Sequence, residues 1–172
     1  MTAMLHLGLV VNPLAGLGGS LGLKGSDGQV LRDRLPSLSA EQRHRALDRV
    51  VRTLRPLAQA GTAVRFSTWS GDMGEEALSS LGLPHRVLGH AAAAGSDAED
   101  TRRAVRALRA EGVDLILFAG GDGTARDIFD VIGSTLPVLG IPAGVKMHSG
   151  VFAVSPEAAG ELLLQLVRGG LV

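Results

Sequence analysis

The sequence predicts an α/β domain built on a doubly wound, mostly parallel sheet, and three observations predict it. Short apolar runs alternate with amphipathic stretches along the chain. The clearest run, VDLILFA at 113–119, is apolar throughout after Asp114, as a strand covered on both faces should be. It leads directly into a glycine turn and another amphipathic stretch, GGDGTARDIF at 120–129, a strand-turn-helix succession.

Each element can be justified in order. LHLGLVV at 5–11 is a short apolar strand stopped by Asn12-Pro13. Residues 12–28 hold six glycines in seventeen positions and predict a long loop. Ser39 and Gln42 form a capping-box pattern that opens a helix. Ala46, Val50, Leu54 and Leu57 recur near helical spacing along it, Pro56 is expected to shorten or kink its last turn, and Gly61 ends it. AVRFSTW at 63–69 alternates as a second strand, GEEALSSLG at 74–82 suggests a short helix, and HRVLG at 85–89 a third strand. Ser96 and Glu99 form another capping box, opening a helix through Ala110 with Gly112 after it. After the strand at 113–119, a helix from about Thr124 ends near Gly133, LPVLGI at 136–141 is a fifth strand, and PAGVKMHSG at 142–150 is a loop. Ser155-Pro156-Glu157 starts a last helix at 157–168. The closing RGGLV stops as though another strand were about to begin.

Composition narrows the function. A chain of 172 residues predicts one domain, 1–172, and 45% hydrophobic residues are enough for a core. Aromatic residues are only 3%, which argues against base-stacking platforms for single-stranded nucleic acid. Net charge is zero, so neither a nucleic acid nor a membrane is expected as a partner. There is no Cys, which removes disulfides and thiolate metal sites and points to a reducing, cytoplasmic setting. The run at 5–11 is too short for a membrane span and has no basic leader before it, so the protein is expected to be soluble.

The glycine turn poses the chemical question. Gly120, Gly121 and Gly123 can reach positive φ and let a ligand come close to the backbone. The N–H groups opening the next helix suit a phosphate, which Asp122 would repel unless it has another task. Two tasks remain: holding a divalent cation that bridges phosphates, or taking a proton from an attacking hydroxyl. The plainer alternative is that Asp122 caps the helix. Arg126 and Asp127 are expected on a solvated face, with Arg126 within conceivable reach of a phosphate. Only two of the seventeen basic residues are lysines, and Lys24 and Lys146 both fall in glycine loops, where an ammonium can act as a point charge on phosphate. Asp27, in GSDG, is a candidate second metal ligand, and His148 reads as polar lining of a turn.

GGDGT at 120–124 after an apolar strand resembles the signature shared by NAD kinases and the diacylglycerol and sphingosine kinases, and NPLAG at 12–16 is similar to their first turn. GGSLGLKGSDG at 18–28 and PVLGIPAGVKMHSGVFAVSP at 137–156 look like the ATP-NAD kinase family, which includes members from acetoin-catabolism clusters. The resemblance implies a Rossmann-like N-terminal domain of the NAD kinase type. It also implies Mg²⁺ as cofactor, ATP or polyphosphate as phosphoryl donor, and the adenosine-ribose 2′-hydroxyl of NAD as acceptor. Asp122 would be base or orienter, Gly120, Gly121, Gly123 and Thr124 would lie on phosphate, and Asn12 at the nucleotide end of the first strand. The family's second, mostly β domain, with its Asn-Glu pair, has no counterpart here, so the chain is expected to be the first domain alone and to bind nucleotide with half the acceptor site missing. Relatives assemble as homo-oligomers, and the same is expected of this chain.

Other classes fit less well. The G-x-G-x-x-G fingerprint of dinucleotide-dependent oxidoreductases is not met by GLGGSL at 16–21, and the second strand ends in STW without the expected acid. No G-x-x-x-x-G-K-[ST] occurs, since Gly25 follows Lys24. A lipid kinase lacks support from a membrane-docking helix or basic patch. A non-catalytic nucleotide-binding module of the same fold is the standing alternative.

Overall fold

The computed structural model describes residues 4–13, 28–61, 63–91, 98–142, 153 and 155–169, and of 28–39 the backbone alone. Among these residues five strands, β1 (Leu5–Val11), β2 (Val64–Thr68), β3 (His85–Val87), β4 (Leu115–Gly120) and β5 (Val138–Pro142), form one sheet in the order β3-β2-β1-β4-β5. Every pairing is parallel, with Leu7 opposite Phe66 on one side and Leu115 on the other. Among the described residues five α-helices connect or follow them: α1 (Gly28–Ala60), α2 (Glu75–Ser80), α3 (Ala98–Glu111), α4 (Asp122–Ile132) and α5 (Pro156–Val167). This is the doubly wound α/β architecture predicted from the alternation of elements.

Strand periodicity divides the core in two. Leu7, Leu9 and Val11 of β1, with Leu117 and Ala119 of β4, meet Ala46, Val50, Leu54 and Leu57 of α1 and Ala159 and Leu163 of α5. Val10, Ile116 and Phe118 point the other way, onto Ala104, Val105 and Leu108 of α3 and Ala125, Ile128 and Ile132 of α4. Both faces are therefore covered, which is why β4 reads as an unbroken apolar run. Full burial of each such Leu, Val, Ile or Phe contributes roughly 1.5–3 kcal/mol.

Helix ends show where local signals held. Gly61, Gly112 and Gly133 follow α1, α3 and α4 with φ of 61°, 84° and 55°, the left-handed geometry a glycine stop supplies. Ser155 caps α5, its Oγ accepting from the Ala158 N–H at 3.0 Å, with Pro156 at the first helical position. Two expectations fail. Helix α1 starts at Gly28, so Ser39 lies inside it, and the Gln42 carbonyl takes the Arg45 guanidinium at 3.0 Å. The capping-box pattern marked a permissible start, whereas residues 28–38 are themselves rich in helix-compatible Leu, Arg and Gln. Nor does Pro56 shorten the helix, which continues to Ala60.

Helix α1 lies against α5 at close range. The Thr53 hydroxyl is 3.0 Å from both the Arg49 and the Pro156 carbonyl oxygens, and Arg52 Nε donates to Glu157 at 2.7 Å. A Cβ on Gly160 would collide with the Thr53 carbonyl oxygen. Ala is the better helix former by about 0.8–1.0 kcal/mol, so propensity favours Gly160→Ala. Packing reverses the sign: we expect the substitution to destabilise by about 1–3 kcal/mol, read from urea unfolding followed by Trp69 fluorescence.

At the amino edge of the sheet, His6 is 7% exposed and its Nε2 is 2.7 Å from Ser67 Oγ. Burial first, and then the Arg65 charge, lower its pKa, against Glu111 and Asp114, which raise it. A folded-state pKa below the unfolded value means the unfolded chain takes up the proton first as pH falls. His6 thus contributes stability that is complete above about pH 6.5 and lost as pH falls through its folded value. Urea midpoints measured from pH 8 to pH 5 should decline more steeply in the unsubstituted chain than in His6→Gln.

Candidate phosphate-binding turn at the sheet switch point

The strand order reverses at β1: the chain proceeds outward to β2 and β3, then returns to β4 on the other side. In a parallel sheet such a reversal opens a crevice at the carboxyl ends of the two diverging strands. The segments that leave β1 and β4 there begin with Asn12 and Gly121. They touch, for the Asn12 N–H donates to the Ala119 carbonyl at 2.8 Å and Asn12 Nδ2 donates to Thr124 Oγ1 at 3.0 Å. Asn12, Gly120, Gly121, Asp122, Gly123 and Thr124, separated by over a hundred residues in sequence, are thereby brought to one place.

The turn itself is tight. Gly120 ends β4, opposite Pro142 of β5. Gly121 is the N-cap of α4 in extended backbone (φ −108°, ψ −163°), and its carbonyl accepts the first helical bond from Ala125 at 3.1 Å. The helix therefore begins at Asp122, two residues earlier than expected, and Asp122 is not its N-cap. Asp122 is half-buried, Gly123 exposed and Thr124 buried, at 3% exposure.

None of the three glycines uses positive φ, contrary to the sequence-based expectation. What each supplies is the lack of a side chain. A Cβ on Gly120 would come within 2.8 Å of Thr124 Cγ2, so this position is closed by packing. At Gly121 and Gly123 a Cβ would meet nothing within 4 Å among the described residues, so none of these covers the start of α4. The N–H groups of the first helical turn, which have no partner within the helix, and the positive end of the helix dipole lie at that end of α4.

Asp127 also departs from its expected place. It is half-buried between helices, its carboxylate 2.9 Å from Arg102 of α3. Burial pushes its pKa up, Arg102 pulls it down, Asp130 raises it and Arg126 lowers it. It braces α3 against α4, while Arg126 is exposed. The sequence reading passed over two groups near the carboxyl edge, Asp100, 1% exposed and 3.1 Å from Arg103, and Trp69, whose ring Arg103 overlies at 5.8 Å. The only hint in the sequence was that Trp69 is the single Trp. Lys24, Asp27, Lys146, His148 and the Ser96 cap lie outside the described residues.

The donor set suits a nucleotide with its divalent cation: one carboxylate, a helix N-terminus and two glycines that no other described residue crowds. Among the described residues, no group of three or more His, Cys, Asp or Glu side chains could hold a metal ion, so within this set Asp122 would offer a cation a single carboxylate. Among them, too, no helix is long and apolar enough to cross a membrane.

A parallel α/β domain with such a turn at its switch point has a kinase-like fold. The chain belongs to the family described as ATP-NAD kinase N-terminal domain, which matches residues 7–171. It is also similar to the diacylglycerol kinase of Mycobacterium tuberculosis in two strains, CDC 1551 / Oshkosh and ATCC 25618 / H37Rv. In each case the identity is 29% over 133 residues, 74% of this chain and 40% of the relative. The chain thus matches well under half the length of these curated relatives. No solved structure matches it.

The two kinds of glycine should separate on substitution. Gly120→Ala is expected to destabilise by about 1–3 kcal/mol through its collision with Thr124. Gly121→Ala and Gly123→Ala should stay within about 0.5 kcal/mol of the unsubstituted chain. Urea unfolding of the three variants side by side makes the comparison.

Proposed function

We propose that the chain is the nucleotide-binding domain of an NAD kinase, passing a phosphoryl group from ATP or polyphosphate to the adenosine-ribose 2′-hydroxyl of NAD to give NADP. The observation that carries this reading is Asp122 at the first residue of α4, between two glycines that no other described residue crowds. An acid in that position disfavours a bare anion and favours a metal-bound phosphate beside a hydroxyl that must lose its proton.

In this reading the acceptor oxygen forms a bond to the terminal phosphorus while the bridging oxygen–phosphorus bond breaks, and the shortened donor leaves with that electron pair. Asp122 orients the hydroxyl and accepts its proton. The N–H groups at the start of α4 bind phosphate oxygens, and Gly121 and Gly123 leave the backbone uncovered. Asp122 would also help to hold Mg²⁺, which would offset the charge of the phosphates. Lys24 and Lys146 are proposed as further phosphate partners and Asp27 as a further metal ligand, from their places in glycine loops. The reading also takes the chain as the family's first domain, working beside a second and within a homo-oligomer.

A second acceptor is favoured by one specific observation, the 29% identity with diacylglycerol kinases. Under that reading the same turn serves a lipid hydroxyl. The donor half of the site is common to both.

The test compares the unsubstituted chain with Asp122→Asn. Mg-ATP should raise the melting temperature of both proteins, because the carboxamide keeps the shape of the turn. Phosphoryl transfer to NAD, followed by NADP formation, should fall by about 10²–10⁴-fold in the variant. Transfer to diacylglycerol in micelles in place of NAD would select the second acceptor. Stabilisation by nucleotide with no turnover on either acceptor, once the family's second domain is joined to the chain, would identify a non-catalytic binding module, and no stabilisation at all would refute the phosphoryl-transfer reading.

A further inference from the structure

Thr124 is the residue of the turn whose hydroxyl a nucleotide would be expected to use, yet the structure places it where a ligand has little access. The residue is 3% exposed and its Oγ1 accepts a hydrogen bond from Asn12 Nδ2 at 3.0 Å. Its side chain lies so close over Gly120 that a Cβ there would fall 2.8 Å from Thr124 Cγ2. The hydroxyl is thus held from below by a glycine and from the side by an amide. Asn12 is itself tied through its main-chain N–H to the Ala119 carbonyl, the residue just before Gly120.

We propose that Asn12 and Thr124 form a clasp: they are positioning residues that set the start of α4 against the end of β1, and neither lends its side chain to phosphate. The link joins the ends of β1 and β4 and the first turn of α4 into one closed unit. Within it the first turn of α4, which begins at Asp122, is held in one orientation at the crevice. The contact has the geometry of an ordinary neutral hydrogen bond, and its effect lies in where it sits. The bond takes one lone pair of Thr124 Oγ1, and what keeps a phosphate or cation from the rest of the hydroxyl is its burial. The consequence for nucleotide binding rests on the phosphoryl-transfer reading; the clasp as a structural unit does not.

The experiment is a double-mutant cycle on the full chain with Asn12→Ala, Thr124→Val and the pair, together with Thr124→Ser. Valine keeps the shape that packs on Gly120, and serine keeps the hydroxyl. Two readouts are taken: the dissociation constant of Mg·mant-ATP, a fluorescent ATP analogue, and the urea midpoint from Trp69 fluorescence. Each single substitution should weaken Mg·mant-ATP by about tenfold, the pair by no more than either alone, and serine should restore affinity to within about twofold. Losses that multiply, to about a hundredfold in the pair, would show two independent ligand contacts and overturn the clasp. So would a Thr124→Val protein that binds as the unsubstituted chain does. Should the unsubstituted chain bind no Mg·mant-ATP, the phosphoryl-transfer reading fails, and the urea midpoints still decide the clasp: non-additive shifts uphold it and additive shifts sink it.

Discussion

The arrangement depends on β1 having a parallel neighbour on each side. A strand in that position is removed from water on both edges and both faces, and Leu7, Leu9 and Val10 are accordingly fully buried. Its backbone groups are satisfied only if β2 and β4 both pair with it, so the chain must wind one way and then return. The return creates the switch point. Once β1 and β4 are adjacent and parallel, Asn12 and the Gly120–Thr124 turn lie together at the same edge, whatever each does there.

Two different uses of glycine serve this arrangement. At the ends of α1, α3 and α4, glycine supplies a left-handed residue that turns the chain back toward the sheet. At the switch point it supplies nothing but the missing side chain: Gly120 makes room for Thr124, and Gly121 and Gly123 leave the helix start bare. The first use shapes the fold. The second belongs to the site, where a close approach of backbone to ligand needs no unusual dihedral angle.

Much of this could be read locally. A continuous apolar run announced β4, the Ser-Pro-Glu sequence announced α5, and the glycines at 61, 112 and 133 announced three helix ends. Each is a matter of a few neighbouring residues, where side-chain chemistry and backbone preference act directly. The same local reading misplaced the start of α1, because a capping pattern can sit inside a helix when the residues before it are also helix formers. It put Asp127 on a solvated face because the packing of α3 on α4 does not show in the helical period of α4 alone.

By itself, the sequence determined the class of fold, the succession of strands and helices, the two apolar faces and the identity of the acid in the glycine turn. These follow from periodicity and composition over windows of about ten residues. Tertiary structure decided the strand order, the burial of Thr124, its bond to Asn12 and the packing reason for Gly120. Those facts arise between residues up to 112 apart in the chain, and no local preference encodes a contact that exists only after β1 and β4 have paired.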